Sequence, residues 1–136
     1  MNTAIAKDSN NPQLYDVMGR VYETGLRDYA KAEEYFKKAL AINPDYIESL
    51  SNLGRVYYNQ GVNKQGEANM INDAKQYQEE LGKAKEFFKL ALPYFEKAHQ
   101  MKPEEKSIVD VQLVRLSIDR CTLRTSEHHR CTATYV

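Results

Sequence analysis

Apolar, aromatic and small residues recur along this chain in a fixed order. Tyr15, Met18, Gly19 and Tyr22 return as Leu50, Leu53, Gly54 and Tyr57, 35 residues later. Each group is followed by a second one: Ala32, Phe36, Ala39 and Pro44 after the first, Ala91, Phe95, Ala98 and Pro103 after the second. Steps of three and four residues put such positions on one face of an α-helix. The pattern therefore predicts pairs of amphipathic helices. Each pair ends at a proline, because the residue before proline is pushed out of the helical region. Pro12 suits the first position of a helix, so the first pair runs from Pro12 to Pro44, with one extra residue in its internal turn around Thr24 to Asp28.

The second pair is stretched. Tyr57 and Ala91 are 34 residues apart, where the matching Tyr22 and Ala32 are ten apart, so about two dozen residues are inserted. The insert keeps helical phase. Tyr57, Gly61, Ala68 and Ile71 continue one face, and Tyr77, Leu81, Ala84, Phe88, Ala91, Phe95 and Ala98 step alternately by four and three. That alternation is a heptad seam. It predicts a hairpin whose helices are each about three turns longer. The turn is expected near Asn69 to Asp73, with Asn72 or Asp73 capping a returning helix from about 73 to 101. Pro93 lies inside that helix and predicts a kink near Lys89 to Pro93 without a break, since the seam stays in phase on both sides.

The glycines have a mechanical reason. A mid-helix glycine costs roughly 1 kcal/mol against alanine, and a missing side chain repays this only where a partner helix comes close. Ala32, Ala39, Ala91 and Ala98 serve the same approach from the second helix, and Phe36 and Phe95 are expected to fill the space between successive pairs. The period, the apolar–Leu–Gly–aromatic group and the Ala–aromatic–Ala–Pro group together resemble the tetratricopeptide repeat, whose period is 34 residues. Tyr15 and Leu50 stand at the Trp-type position, Met18-Gly19 and Leu53-Gly54 at the Leu-Gly position.

The resemblance implies an all-α fold, a right-handed superhelix of antiparallel helix pairs, over residues 1–119. Residues 12–44 form the first repeat and 45–103 the second with its extended hairpin. Residues 104–119 form a degenerate capping helix, in which Val109, Leu113 and Leu116 make one stripe and Val111, Val114 and Ile118 a second beside it. Here Leu113 replaces the glycine, Gln112 the leucine and Leu116 the aromatic. Residues 1–9 resemble the tail of an earlier repeat's second helix, with Ser9 where proline is expected; the chain is then expected to begin mid-array, and a disordered start fits equally well.

The resemblance also implies a non-enzymatic protein–protein interaction module, a scaffold or adaptor holding a peptide or protein segment in a concave groove lined by first helices. On this chain that face presents Asp16, Arg20 and Glu23 from the first repeat and Ser51, Asn52, Arg55, Tyr58 and Asn59 from the second. Arg20 and Arg55 lie one period apart. They would either hold a carboxylate between two guanidiniums or be solvated or paired with Asp16 and nearby glutamates. Arrays that grip acidic chaperone tails use a Lys/Asn set that this chain matches only at Asn52, with Asp16, Arg20, Ser107 and Val111 at the other places, so that activity is not implied. Two full repeats are few for a stable array, so a structural, self-assembling role through repeat ends or the long hairpin, giving a homo-oligomer, is the alternative.

Composition narrows the picture. In 136 residues, 19 Lys and Arg balance 19 Asp and Glu, a zero net charge that gives no long-range field for nucleic acid or an anionic membrane. No apolar run is long enough for a membrane span, and residues 1–8 lack the basic and apolar regions of a signal peptide. A cytoplasmic location follows if Met1 is the true start, an exported one if a signal peptide has been removed upstream. No phosphate loop, His-Glu-x-x-His or Gly-x-Ser-x-Gly motif occurs, so neither an enzyme nor a cofactor is expected. Residues 120–136 lack an apolar period and read as a disordered tail. That tail holds Cys121, His128, His129 and Cys131, donor types that zinc accepts but at a spacing that matches no zinc finger, so no metal is expected.

Overall fold

A computed structural model describes the backbone of residues 10–134; the side chains of 105–107 and 124–134 lie outside what is described. The molecule is all-α. The helices are α1, Pro12–Arg20, followed directly by a π-helical turn, Val21–Gly25; α2, Tyr29–Ile42; α3, Ile47–Asn69; α4, Ala74–Met101; and α5, Glu105–Thr134. Adjacent helices in sequence pack against each other along the whole series. Residues 1–9, where an earlier repeat is expected to leave its last helix, fall outside the described residues.

Local sequence accounts for the boundaries. Asn11 caps α1 by accepting from the Gln13 amide, ahead of Pro12 at the first helical position. Asp28 caps α2 through the Lys31 amide at 3.1 Å, and Asp73 caps α4 through the Lys75 amide at 3.2 Å. The extra residue of the first pair is absorbed where α1 ends: Leu26 N–H donates to the Val21 carbonyl, five residues back, at 3.3 Å. One residue added to an α-helical turn gives this π geometry. Arg27 then takes φ +52°, a left-handed reversal that returns the chain to α2. α4 continues through Pro93, which lies on the exposed side of the helix.

The first two hairpins are built on a ring laid over a glycine. A Cβ on Gly19 would meet the Phe36 ring at 2.5 Å, one on Gly54 the Phe95 ring at 3.1 Å, and one on Gly61 the Phe88 ring at 2.6 Å. Phe36 and Phe95 thus lie over the glycine of their own hairpin, and Phe95 also borders the space between that pair and α5. Seven residues along α3, from Gly54 to Gly61, are matched by seven back along α4, from Phe95 to Phe88. Register therefore carries over unchanged into the extension, out to the buried Ala68 and Leu81. Gly82 is different: nothing lies within 4 Å of a Cβ placed there. Gly82→Ala is expected to stabilise the protein by roughly 0.5–1 kcal/mol, the helix-propensity difference alone, measurable as a higher urea midpoint with unchanged slope.

α5 departs from expectation at its end. The helix does not stop at 119 but continues to Thr134, and Cys121 is buried at 1 % exposure. The reason is that Cys121 extends the stripe Val111, Val114 and Ile118 by three more residues, so the apolar face against α4 runs on past the change in composition. Arg115 fixes the contact by pairing with Glu96 of α4 at 2.8 Å. Val111, Val114 and Cys121 join Phe36, Leu53, Val56, Phe88 and Phe95 in one continuous core. No described helix is long and apolar enough to cross a membrane.

Candidate binding face

α1, α3 and the start of α5 share one face of the molecule, and three adjoining depressions mark it. One, about 390 Å³, lies between α3, α4 and α5 and is lined by Ser51, Arg55, Tyr58 and Asn59 against Phe95, Leu113, Val114, Glu104 and Asp110. A second runs over Glu23, Arg27, Tyr29, Asn59 and Val62. A third runs over Gln13, Asp16, Arg20, Tyr46, Asn52 and Lys102. Arg55 borders all three. Asp16, Arg20, Glu23, Ser51, Asn52, Arg55, Tyr58 and Asn59 each line at least one of them.

Lining a depression does not make all eight available. Asp16 is 3 % exposed, and its Oδ1 accepts from Ser49 Oγ and from Asn52 Nδ2, both at 2.8 Å. Its Oδ2 lies 3.3 Å from Arg20 Nε. Glu23 is 5 % exposed and accepts twice from Arg55, at 2.8 Å from Nε and 2.6 Å from Nη2. So Asp16, Glu23 and Asn52 are the joint between α1 and α3 rather than surface groups. The reason is positional: Asp16 and Glu23 lie two turns apart on the side that faces α3, while Arg20 between them stays exposed.

The two arginines do not form a shared clamp either. Each is held by its own carboxylate, Arg20 by Asp16 and Arg55 by Glu23, and the paired reading of these residues is the one the geometry shows. The Glu23 hydrogen bonds raise the Arg55 pKa above its ordinary value despite partial burial. Two nitrogens of Arg55 face Glu23, which fixes the plane of the guanidinium. Its side chain remains 44 % exposed and borders the groove.

What stays accessible on the face is the exposed Arg20 and Arg55 and the half-buried Ser51, Tyr58 and Asn59, the last three beside an apolar floor of Phe95, Leu113 and Val114. Sequence reasoning missed the α5 contribution and the role of Phe95 as floor. The signal was present and partly read: Leu113, ten residues after Pro103 as Gly54 is after Pro44, already marked α5 as the next first helix, but its residues were not carried into the groove set. Among the described residues no three His, Cys, Asp or Glu side chains converge as metal ligands. His128, His129 and Cys131 lie outside the described side chains, and Cys121 faces the core.

A family model described as a TPR repeat matches residues 28–61. That span takes α2 and the first part of α3, one full period offset by a helix from the hairpins. A protein of Pyropia yezoensis, named uncharacterized protein ycf37, is 40 % identical over 45 residues, covering 32 % of this chain and 24 % of that protein. The chain thus spans about a quarter of the length of the curated relative it matches. No solved structure matches the chain. Residues 28–61 are thus similar to a tetratricopeptide repeat, and the Gly–Phe hairpins and closing prolines on either side of that span follow the same pattern.

Proposed function

We propose that the chain is a protein-binding module whose face of α1, α3 and α5 holds a segment of a partner protein. Repeats of this family are in general protein-interaction modules, and the groove supplies the specific support. One observation carries the reading: Arg55 borders every depression on the face, and a buried carboxylate holds its guanidinium in one plane while its side chain stays partly exposed. A donor fixed in this way loses little side-chain entropy on binding. Asn59 beside it offers both an amide donor and an acceptor, the pair that an extended backbone needs. Phe95, Leu113 and Val114 give an apolar seat for one side chain. The ligand class is accordingly an extended segment with an apolar residue flanked by exposed backbone carbonyls. No chemistry is assigned to the site, since no side chain there is placed as nucleophile or general base.

The test is selection from a displayed random-peptide library with the full chain as target. Enriched peptides are expected to carry a recurrent large apolar residue. Asn59→Ala is expected to weaken their binding about tenfold, the worth of one to two hydrogen bonds at about 1.4 kcal/mol per decade, without lowering the melting temperature. Failure to enrich any sequence, or binding indifferent to both Asn59→Ala and Arg55→Ala, sinks the proposal.

A further inference from the structure

The depression beside the end of α1 holds a cation that the fold leaves without a counter-charge. Four cations line the three depressions of the face: Arg20, Arg27, Arg55 and Lys102. Asp16 pairs with Arg20, Glu23 with Arg55, and Glu104 with Lys102 at 3.0 Å. Arg27 is exposed and makes no ion pair and no side-chain hydrogen bond among the described residues. Asn59 and Asn63 line the same depression from α3, about one helical turn apart. Their amides also make no hydrogen bond among the described residues. The carboxylate that borders this depression, Glu23, is 5 % exposed and already accepts twice from Arg55. Donors from two elements thus line the depression with no acceptor of their own.

The backbone marks the same arginine. Arg27 has φ +52°, and among the described residues no other non-glycine has a positive φ. It follows the π-helical turn, and the Asp28 amide next to it donates back to the Tyr22 carbonyl at 2.9 Å. Such a reversal at a helix end ordinarily takes glycine, because a Cβ is strained there. A long cationic side chain is carried at this position instead, a placement that folding alone does not favour and that is common at binding sites. From the unpaired guanidinium, the two amides and the strained backbone, we infer that Arg27, Asn59 and Asn63 form a subsite for a carboxylate side chain, an Asp or Glu of the segment held on the face. The inference rests on the reading of that face as a peptide groove. One guanidinium matches the single charge of a carboxylate, whereas a phosphate, with nearly two charges, calls for a cluster of arginines. The apolar seat of Phe95, Leu113 and Val114 lies in the neighbouring depression, and Arg55 and Asn59 of α3 border both. Crossing a helix about 10 Å wide takes about three residues of extended chain at ~3.3 Å each. The ligand class narrows to a segment with an acid about three residues from a large apolar side chain.

The full chain and its Arg27→Gly variant, each used as target for one displayed random-peptide library, test this. The wild type is expected to enrich peptides that carry both residues at that spacing. Arg27→Gly is expected to keep the apolar residue and lose the acid, with a melting temperature no lower than the wild type's, since glycine suits the position. Arg27→Asn, which also accepts a left-handed φ, gives the same reading if the glycine variant fails to fold. A synthetic peptide selected by the wild type, with its acid changed to the amide, is expected to bind the wild type about tenfold more weakly, the scale of one charged hydrogen-bonded pair. The same change is expected to leave binding to Arg27→Gly as it was. Apolar peptides enriched without an acid, or an amide exchange that weakens binding to both targets equally, overturn the carboxylate subsite and leave the groove standing. Enrichment of no sequence overturns the groove and the subsite together.

Discussion

Phe88→Ala is expected to lower the free energy of unfolding by about 3–5 kcal/mol, the range for a fully buried phenylalanine. The site has no means of collapse. Phe88 is completely buried, and its ring lies on Gly61, with Tyr58 tilted against it at 5.4 Å between centroids. A glycine has no side chain to swing into the vacated volume, and both flanking helices are held by the seam on either side. Gly61→Ala alone is expected to destabilise by about 1–3 kcal/mol, the cost of overpacking, although alanine is the better helix former. The two changes are coupled. Combined with Phe88→Ala, the added methyl has room and restores propensity, so the double variant is expected to be more stable than the sum of the singles by about 1 kcal/mol or more. Urea unfolding of the four proteins measures the cycle. Strict additivity would show that the ring-on-glycine contact is not what sets the spacing of α3 and α4.

Asp16→Ala is expected to cost about 2–4 kcal/mol, through what the carboxylate leaves behind rather than through its ion pair. Ser49 is wholly buried and Asn52 nearly so, and both donate to one oxygen of Asp16. Without that oxygen two buried donors lose their acceptor, each worth about 1–3 kcal/mol when unsatisfied. Arg20, by contrast, has a side chain 54 % exposed, so Arg20→Ala is expected to cost under about 1 kcal/mol. Thermal melts of the two variants separate these terms. Hydrogen exchange gives a sharper readout: Asp16→Ala is expected to lose amide protection in α1 before α4, since α1 is short and is tied to the next first helix mainly by Asp16 and Glu23. Equal destabilisation by both variants would mean that the ion pair, and not the buried donors, holds the joint.

The helices were legible because their cause is local. Pro12, Asp73 and the four-and-three steps from Tyr77 to Ala98 state where helices start and which face is buried, and α4 follows them. The pairing of Gly61 with Phe88 was less visible, since periodicity names the face of each helix but not which residue lies opposite. The groove was legible only as a set of positions. Tyr58 and Asn59 are half-buried and line the face, while Asp16, Glu23 and Asn52 are spent between helices. That distinction depends on how closely α1 sits on α3, which no spacing within one helix encodes. Composition misled at the end of the chain, where polar residues from Arg120 onward hide that Cys121 prolongs the stripe of Val111 and Val114.

The matched steps of Gly54 to Gly61 and Phe95 to Phe88 give the long hairpin the character of a ruler. Taking seven residues from each arm leaves every remaining pair opposite its former neighbour and draws the tip in by about 10 Å at 1.5 Å per residue. Adding seven to each arm moves it out by the same amount. Reach can thus change in whole heptads while the groove at the base keeps its walls, so the distance between whatever the tip touches and whatever the groove holds is free to vary on its own.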